Sequence, residues 1–78
     1  MKVTVKYFGA IAEQAGLHEE AIELSEIGTD LGDLKTHCIQ KYQLDDDALQ
    51  IAINQQIGTV STLNDGDEIA FLPPFAGG

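Results

Sequence analysis

Hydrophobic and polar residues alternate from Lys2 to Phe8, with Val3, Val5 and Tyr7 on one side and Lys2, Thr4, Lys6 and Phe8 on the other. A period of two predicts a strand buried on one face. A short helical stretch, Ala10 to Ala15, follows and stops at Gly16, a residue suited to a C-terminal cap. Gly9, between the two, reads as an ordinary turn residue. Alternation returns over residues 19–24, with Ile22 and Leu24 inward and Glu19, Ala21 and Glu23 outward. Two strands this close in sequence predict an antiparallel hairpin with a helical turn in its loop.

The period then lengthens. Leu31, Leu34, Cys38 and Tyr42 recur at the spacing i, i+3, i+7, i+11, the apolar stripe of a helix, which Ile39 widens. Thr29 stands where its hydroxyl can cap the first turn, and Asp30 and Asp33 lie where the helix dipole favours negative charge. Gly32 weakens that turn, and the acidic run Asp45-Asp46-Asp47 ends the element. Leu49, Ile51 and Ile53 alternate with Gln50, Ala52 and Asn54 in a third strand. Asn64-Asp65-Gly66 is a turn signal that launches a last strand, Asp67 to Leu72. There Ile69 and Phe71 face one way and Ala70 and Leu72 the other; Pro73-Pro74 then stops the ladder, because proline offers no N–H to a neighbour. The predicted order is β-β-α-β-β, an α+β fold with one main helix on one face of a sheet.

Seventy-eight residues make a single domain, 1–78, whose core must be small. Cys38 is the only cysteine, so no intrachain disulfide can staple it, which fits a reducing compartment. No signal peptide is legible at the N-terminus, and no stretch approaches the roughly 20 apolar residues of a membrane span. A soluble, cytoplasmic protein is expected. The formal charge of −9, from 13 acidic against 4 basic residues, would repel a phosphate backbone, so no nucleic-acid partner is expected. Simple solubility accounts for that charge; steering toward basic partner surfaces is the sharper alternative.

The residues that usually carry chemistry form no constellation. His37 and Cys38 are adjacent, so on a helix they point about 100° apart and cannot grip one metal. Cys38 belongs to the apolar stripe, His37 to the solvated side, and His18 has no evident partner. The acidic run lacks the glycine and distal glutamate of a calcium loop, and Gly9 lacks the further glycines of a phosphate loop. Neither a metal nor a bound cofactor is expected.

What remains is the end of the chain, Phe71-Leu72-Pro73-Pro74-Phe75-Ala76-Gly77-Gly78. Frayed termini are usually polar. This one carries two phenylalanines, a leucine and two prolines, whose restricted backbone lowers the entropy cost of docking an extended segment. Gly77 and Gly78 remove all side-chain bulk at the tip, and a terminal glycine carboxylate is the least hindered acyl group a chain can present. A flexible tail, 73–78, built for insertion into a narrow site is expected.

The segment LNDGDEIAFLPPFAGG closely resembles the C-terminus of molybdopterin synthase small subunits, also called molybdopterin-converting factor small subunits, a family of ubiquitin-like sulfur carriers. The opening VKYFGAIAEQAG and the central IAINQQ resemble the same family, which often has valine then serine or threonine where this chain has Phe75-Ala76. The resemblance implies a β-grasp fold with a mixed sheet. It also implies that an ATP-using activating enzyme adenylates Gly78, that sulfur ultimately from cysteine replaces the adenylate as a thiocarboxylate, and that the large synthase subunit, in a heterotetramer, receives the tail. The related carrier for thiazole synthesis and a ubiquitin-like protein modifier are the alternatives; the former lacks the proline pair. In a β-grasp sheet the first and last strands are parallel neighbours. Strand parity then sets Phe8 and Leu72 together on the face away from the helix, beside the tail. Phe8, Leu72, Pro73, Pro74, Phe75, Ala76 and Gly77 are therefore the expected partner-binding residues, and Gly78 the reactive one.

Overall fold

Val3, Val5 and Tyr7, each 2% exposed or less, anchor β1 (Lys2–Tyr7) in the computed structural model, and the alternation of the sequence becomes the two faces of a sheet. The structure describes residues 1–44, 49–57 and 62–73, with Gln56 and Ile57 described by backbone alone. The elements after β1 are α1 (Gly9–Ala15), β2 (Glu19–Glu23), α2 (Leu31–Tyr42), β3 (Gln50–Ile53), β4 (Gln56–Ile57) and β5 (Glu68–Leu72). The strands form one mixed sheet in the order β2-β1-β5-β3-β4. β1 pairs antiparallel with β2 and parallel with β5, and β3 pairs antiparallel with both β5 and β4.

The apolar stripe of α2 closes one face. Leu34 and Cys38 are fully buried in a core with Val3, Val5, Tyr7, Ile22, Leu24, Ile69 and Phe71, while Leu31, Ile39 and Tyr42 flank it. Tyr7 meets Tyr42 and Phe71 edge-on, with ring centroids 5.6 Å apart in both pairs. Among the described residues no helix is long and apolar enough to cross a membrane.

Several local expectations need correction. Thr29 does not cap α2. Asp30 takes the N-cap position without a side-chain cap bond, and the Thr29 carbonyl accepts from the Leu63 N–H at 2.7 Å. α2 stops at Tyr42, where Gln43 turns left-handed and the Leu44 N–H bonds the Ile39 carbonyl; the acidic run 45–47 lies outside the described residues. A hairpin to β4 was not foreseen. Its turn is Asn54-Gln55, with φ of 51° and 70°, a left-handed pair without the glycine that normally announces such a turn. Gly16 does cap α1 in the left-handed conformation, as its place in the sequence predicts.

The two ends of the sheet differ. At the end where β5 begins, the Gly66 N–H bonds the Lys2 carbonyl at 2.8 Å, and the Lys2 N–H bonds Asp65 Oδ1 at 2.8 Å. Asn54 spans to Asp67 and Glu68 there, donating Nδ2–H to Asp67 Oδ1 at 3.0 Å and accepting from the Glu68 N–H at 3.0 Å. That end is laced shut. The tail leaves from the other.

Candidate functional site

Titratable groups gather at only one partly buried place among the described residues, and it holds the fold together. The Tyr7 and Tyr42 hydroxyls both donate to Glu20 Oε2, at 2.7 and 2.6 Å, and Lys41 Nζ lies 3.4 Å from Oε1. Glu20 is inward by the parity of β2, and its side chain is only 16% exposed. Burial pushes its carboxyl up, but the Tyr42 and Tyr7 hydrogen bonds and the Lys41 charge outweigh this and hold it below its ordinary value. The same burial and the carboxylate beside it push the Tyr7 hydroxyl far above the usual phenol range. Cys38 Sγ lies 3.5 Å from that hydroxyl, whose single proton goes to Glu20, so the thiol is left to donate. Burial raises the thiol further from its reactive form. His37 is half-buried beside a groove between β2 and α2 rather than fully solvated, and among the described residues no three metal-ligating groups converge.

The stability consequence has a definite sign. A carboxyl whose folded pKa is lowered contributes stability above its unfolded value, ordinarily 4.5 here, and loses it as pH falls through the folded one. Glu20→Gln should cost about 1–3 kcal/mol in denaturant melts at neutral pH, because two partly buried hydroxyls lose a charged acceptor. Below pH 4.5 the gap between variant and wild type should close. A gap that stayed constant down to strong acid would show that the ionised carboxylate is not what the tyrosines hold.

The open face of the sheet is different in kind. The parallel register sets Tyr7 beside Phe71, and the Phe8 N–H bonds the Phe71 carbonyl at 3.2 Å. Phe8 is therefore next to Leu72 on the face away from α2, and Gln50, paired with Leu72 across β3, extends the row over a third strand. Phe8 is 44% exposed; Met1 is the other large exposed hydrophobic among the described residues. Leu72 and Pro73 are half-buried. Behind the row lie Ala70 and Ala52, side by side and small, and Lys6 bound to Glu68 at 3.1 Å. Phe8, Leu72 and Pro73 are thus brought together as predicted, while Pro74, Phe75, Ala76, Gly77 and Gly78 lie outside the described residues.

Two features of this end escaped the sequence reading. Gln50 Oε1 is buried with no hydrogen-bond partner among the described residues. Gly9 is no ordinary turn residue: at φ +58° it lies so close to Pro73 that a Cβ on it would stand 3.2 Å from Pro73 Cγ. An isolated glycine before a helix gave the only hint.

Among the described residues the surface offers an apolar platform of Phe8, Leu72 and Pro73, with the Lys6–Glu68 ion pair behind it. Comparison with known proteins fits that description. The ThiS family matches residues 5–78. The chain is 46% identical over 83 residues to the molybdopterin synthase sulfur carrier subunit of Mycobacterium tuberculosis, a match covering all of this chain and 99% of the relative. A solved Pyrococcus furiosus structure, described as molybdopterin converting factor subunit 1, is similar at 32% identity and a TM-score of 0.79, over 96% of this chain and 99% of that one. A chain in the protein–protein complex of subunits 1 and 2 of Helicobacter pylori molybdopterin-converting factor is similar over the full length of both, at 26% identity and a TM-score of 0.67.

Proposed function

Because this chain belongs to the ThiS family, we propose that it is the sulfur-carrier subunit of a molybdopterin synthase, with the terminal carboxylate of Gly78 as its working group. The end-to-end match to the mycobacterial sulfur carrier is the observation that carries this reading, and it favours the molybdopterin role over the thiazole one. The solved complex of the two Helicobacter subunits supports a large-subunit partner for this chain as well.

In this scheme an activating enzyme joins the Gly78 carboxylate to the adenylyl group of ATP and releases pyrophosphate. Sulfur derived from cysteine then displaces AMP and leaves a thiocarboxylate. The carrier docks on the large subunit, and its sulfur attacks the cyclic pyranopterin precursor. Hydrolysis of the acyl–sulfur bond frees the carboxylate for another round. A dithiolene holds two sulfurs, so two charged carriers are consumed per product, as a heterotetramer would arrange. A thiocarboxylate delivers a soft nucleophile without free sulfide, and docking makes the delivery intramolecular. The partner supplies the acid–base groups, and ATP serves the activating enzyme rather than this chain. The whole cycle belongs in the cytoplasm.

Charging tests the reading directly. With activating enzyme, ATP and a sulfur source, the protein should gain the mass difference between sulfur and oxygen, and fragmentation should map it to Gly78. Sulfur found instead as a persulfide on Cys38 would refute the terminal-carboxylate scheme, and the thiol's complete burial argues against that outcome. Isopeptide linkage of Gly78 to lysines, without transfer to a pterin precursor, would move the assignment to a protein modifier.

A further inference from the structure

At the root of the tail a bare α-carbon sits under a proline ring. Gly9 opens α1 at φ +58°, and a Cβ there would meet Pro73 Cγ at 3.2 Å and Cδ at 3.7 Å. Immediately before this contact the Phe8 N–H ties β1 to the Phe71 carbonyl of β5. The approach of residues 9 and 73 therefore falls where both strands leave the sheet, at the end not laced by the Asn64–Asp67 turn. Among the described residues Gly9 is not part of the buried core. Ile11 and Ala12, not Gly9, bury α1.

Pro73 has a fixed φ, and Pro74 after it biases Pro73 toward extended conformations, so a direction set at the ring holds through Pro73. Five residues, 74–78, follow Pro73, with a reach of at most about 17 Å. A Cβ on residue 9 would require the Pro73 ring to give by a few tenths of an ångström, at the residue from which that segment starts. Misplacing a reacting group by about 1 Å can cost roughly a hundredfold in rate.

We propose that Gly9 is a positioning residue for the sulfur-bearing tail: its bare α-carbon seats the Pro73 ring and so sets the direction in which the chain leaves the sheet toward the partner's active site. This role rests on the sulfur-carrier reading. It differs from a simple need for a left-handed backbone, which asparagine also satisfies.

Gly9→Asn separates the two, since it keeps the conformation and adds the Cβ. Loaded with sulfur and mixed with the large subunit, the Gly9→Asn carrier should bind within about threefold of wild type. Single-turnover transfer from the preformed complex should fall at least about tenfold. In the Pro73→Ala background the same substitution should cost much less, because the ring it displaces is gone. Pro73→Ala alone, which leaves residue 9 untouched, should slow single-turnover transfer from the preformed complex. An unchanged single-turnover rate in Gly9→Asn or in Pro73→Ala overturns the role, and so does an equal cost of Gly9→Asn in both backgrounds. A wild-type carrier that charges but transfers nothing would instead remove the sulfur-carrier reading, and this role with it.

Discussion

Deleting Gly78, or adding one residue after it, should abolish sulfur transfer while the thermal melt and far-ultraviolet dichroism stay those of wild type. Among the described residues the buried core ends at Phe71. The chemistry, in contrast, depends on where the last carboxylate stands. One residue of extended chain is about 3.5 Å, so either change displaces the acyl group by that amount along the tail. A near-attack geometry tolerates far less, and a loss of at least about a hundredfold in product formation is expected. Extension carries a second penalty. The added residue brings a side chain, unless it is glycine, to the tip of a tail proposed to enter a narrow site. Mass spectrometry after charging and a pterin-product assay would together measure both. A carrier lengthened by one alanine that still charged and transferred at the wild-type rate would show that Gly78 is not the acyl group.

How much of this was legible beforehand follows from the range of each interaction. Parity placed Val3, Val5, Tyr7, Ile69 and Phe71 in the core because a strand with one buried face has only two sides. The helical stripe from Leu31 to Tyr42 was equally local, and so was the Gly16 cap. Thr29 failed as a cap because its backbone is claimed from a distance: Leu63 bonds its carbonyl, and Asp30 bridges to Thr62. Local reading cannot see such a competitor. The β3–β4 hairpin was missed because Gln55 takes a left-handed turn position that its side chain does not favour. Glu20 was inward by the same alternation that buried Ile22, yet a carboxylate reads as solvated until Tyr7 and Tyr42 are seen to meet it. At the site, parity placed Phe8 beside Leu72 only once a parallel pairing of β1 and β5 was granted, and family resemblance supplied that pairing. The seat of Pro73 on Gly9 had no such signal, because it depends on how two chain ends leave one sheet.

Phe8→Ala should weaken binding to the large subunit by about 2 kcal/mol, roughly thirtyfold in Kd, with almost no effect on the stability of the free carrier. The two halves of this expectation come from one number. Phe8 is 44% exposed on the face opposite α2, so its ring contributes little to the core, and truncation opens no internal cavity. Its neighbours make it an anchor rather than a stray surface hydrophobe. Leu72 stands beside it and Pro73 follows, so its ring adjoins further apolar surface. Aromatic side chains in such partly apolar, water-excluding surroundings dominate interface energies. Phe75→Ala should act in the same direction, since Phe75 follows the proline pair in the tail proposed to enter the partner. Titration calorimetry of each charged variant against the large subunit decides the matter, with the melt as the check on folding. Affinity unchanged in both variants would mean that the open face is not where the partner docks, and the acidic remainder of the surface would then have to carry the recognition.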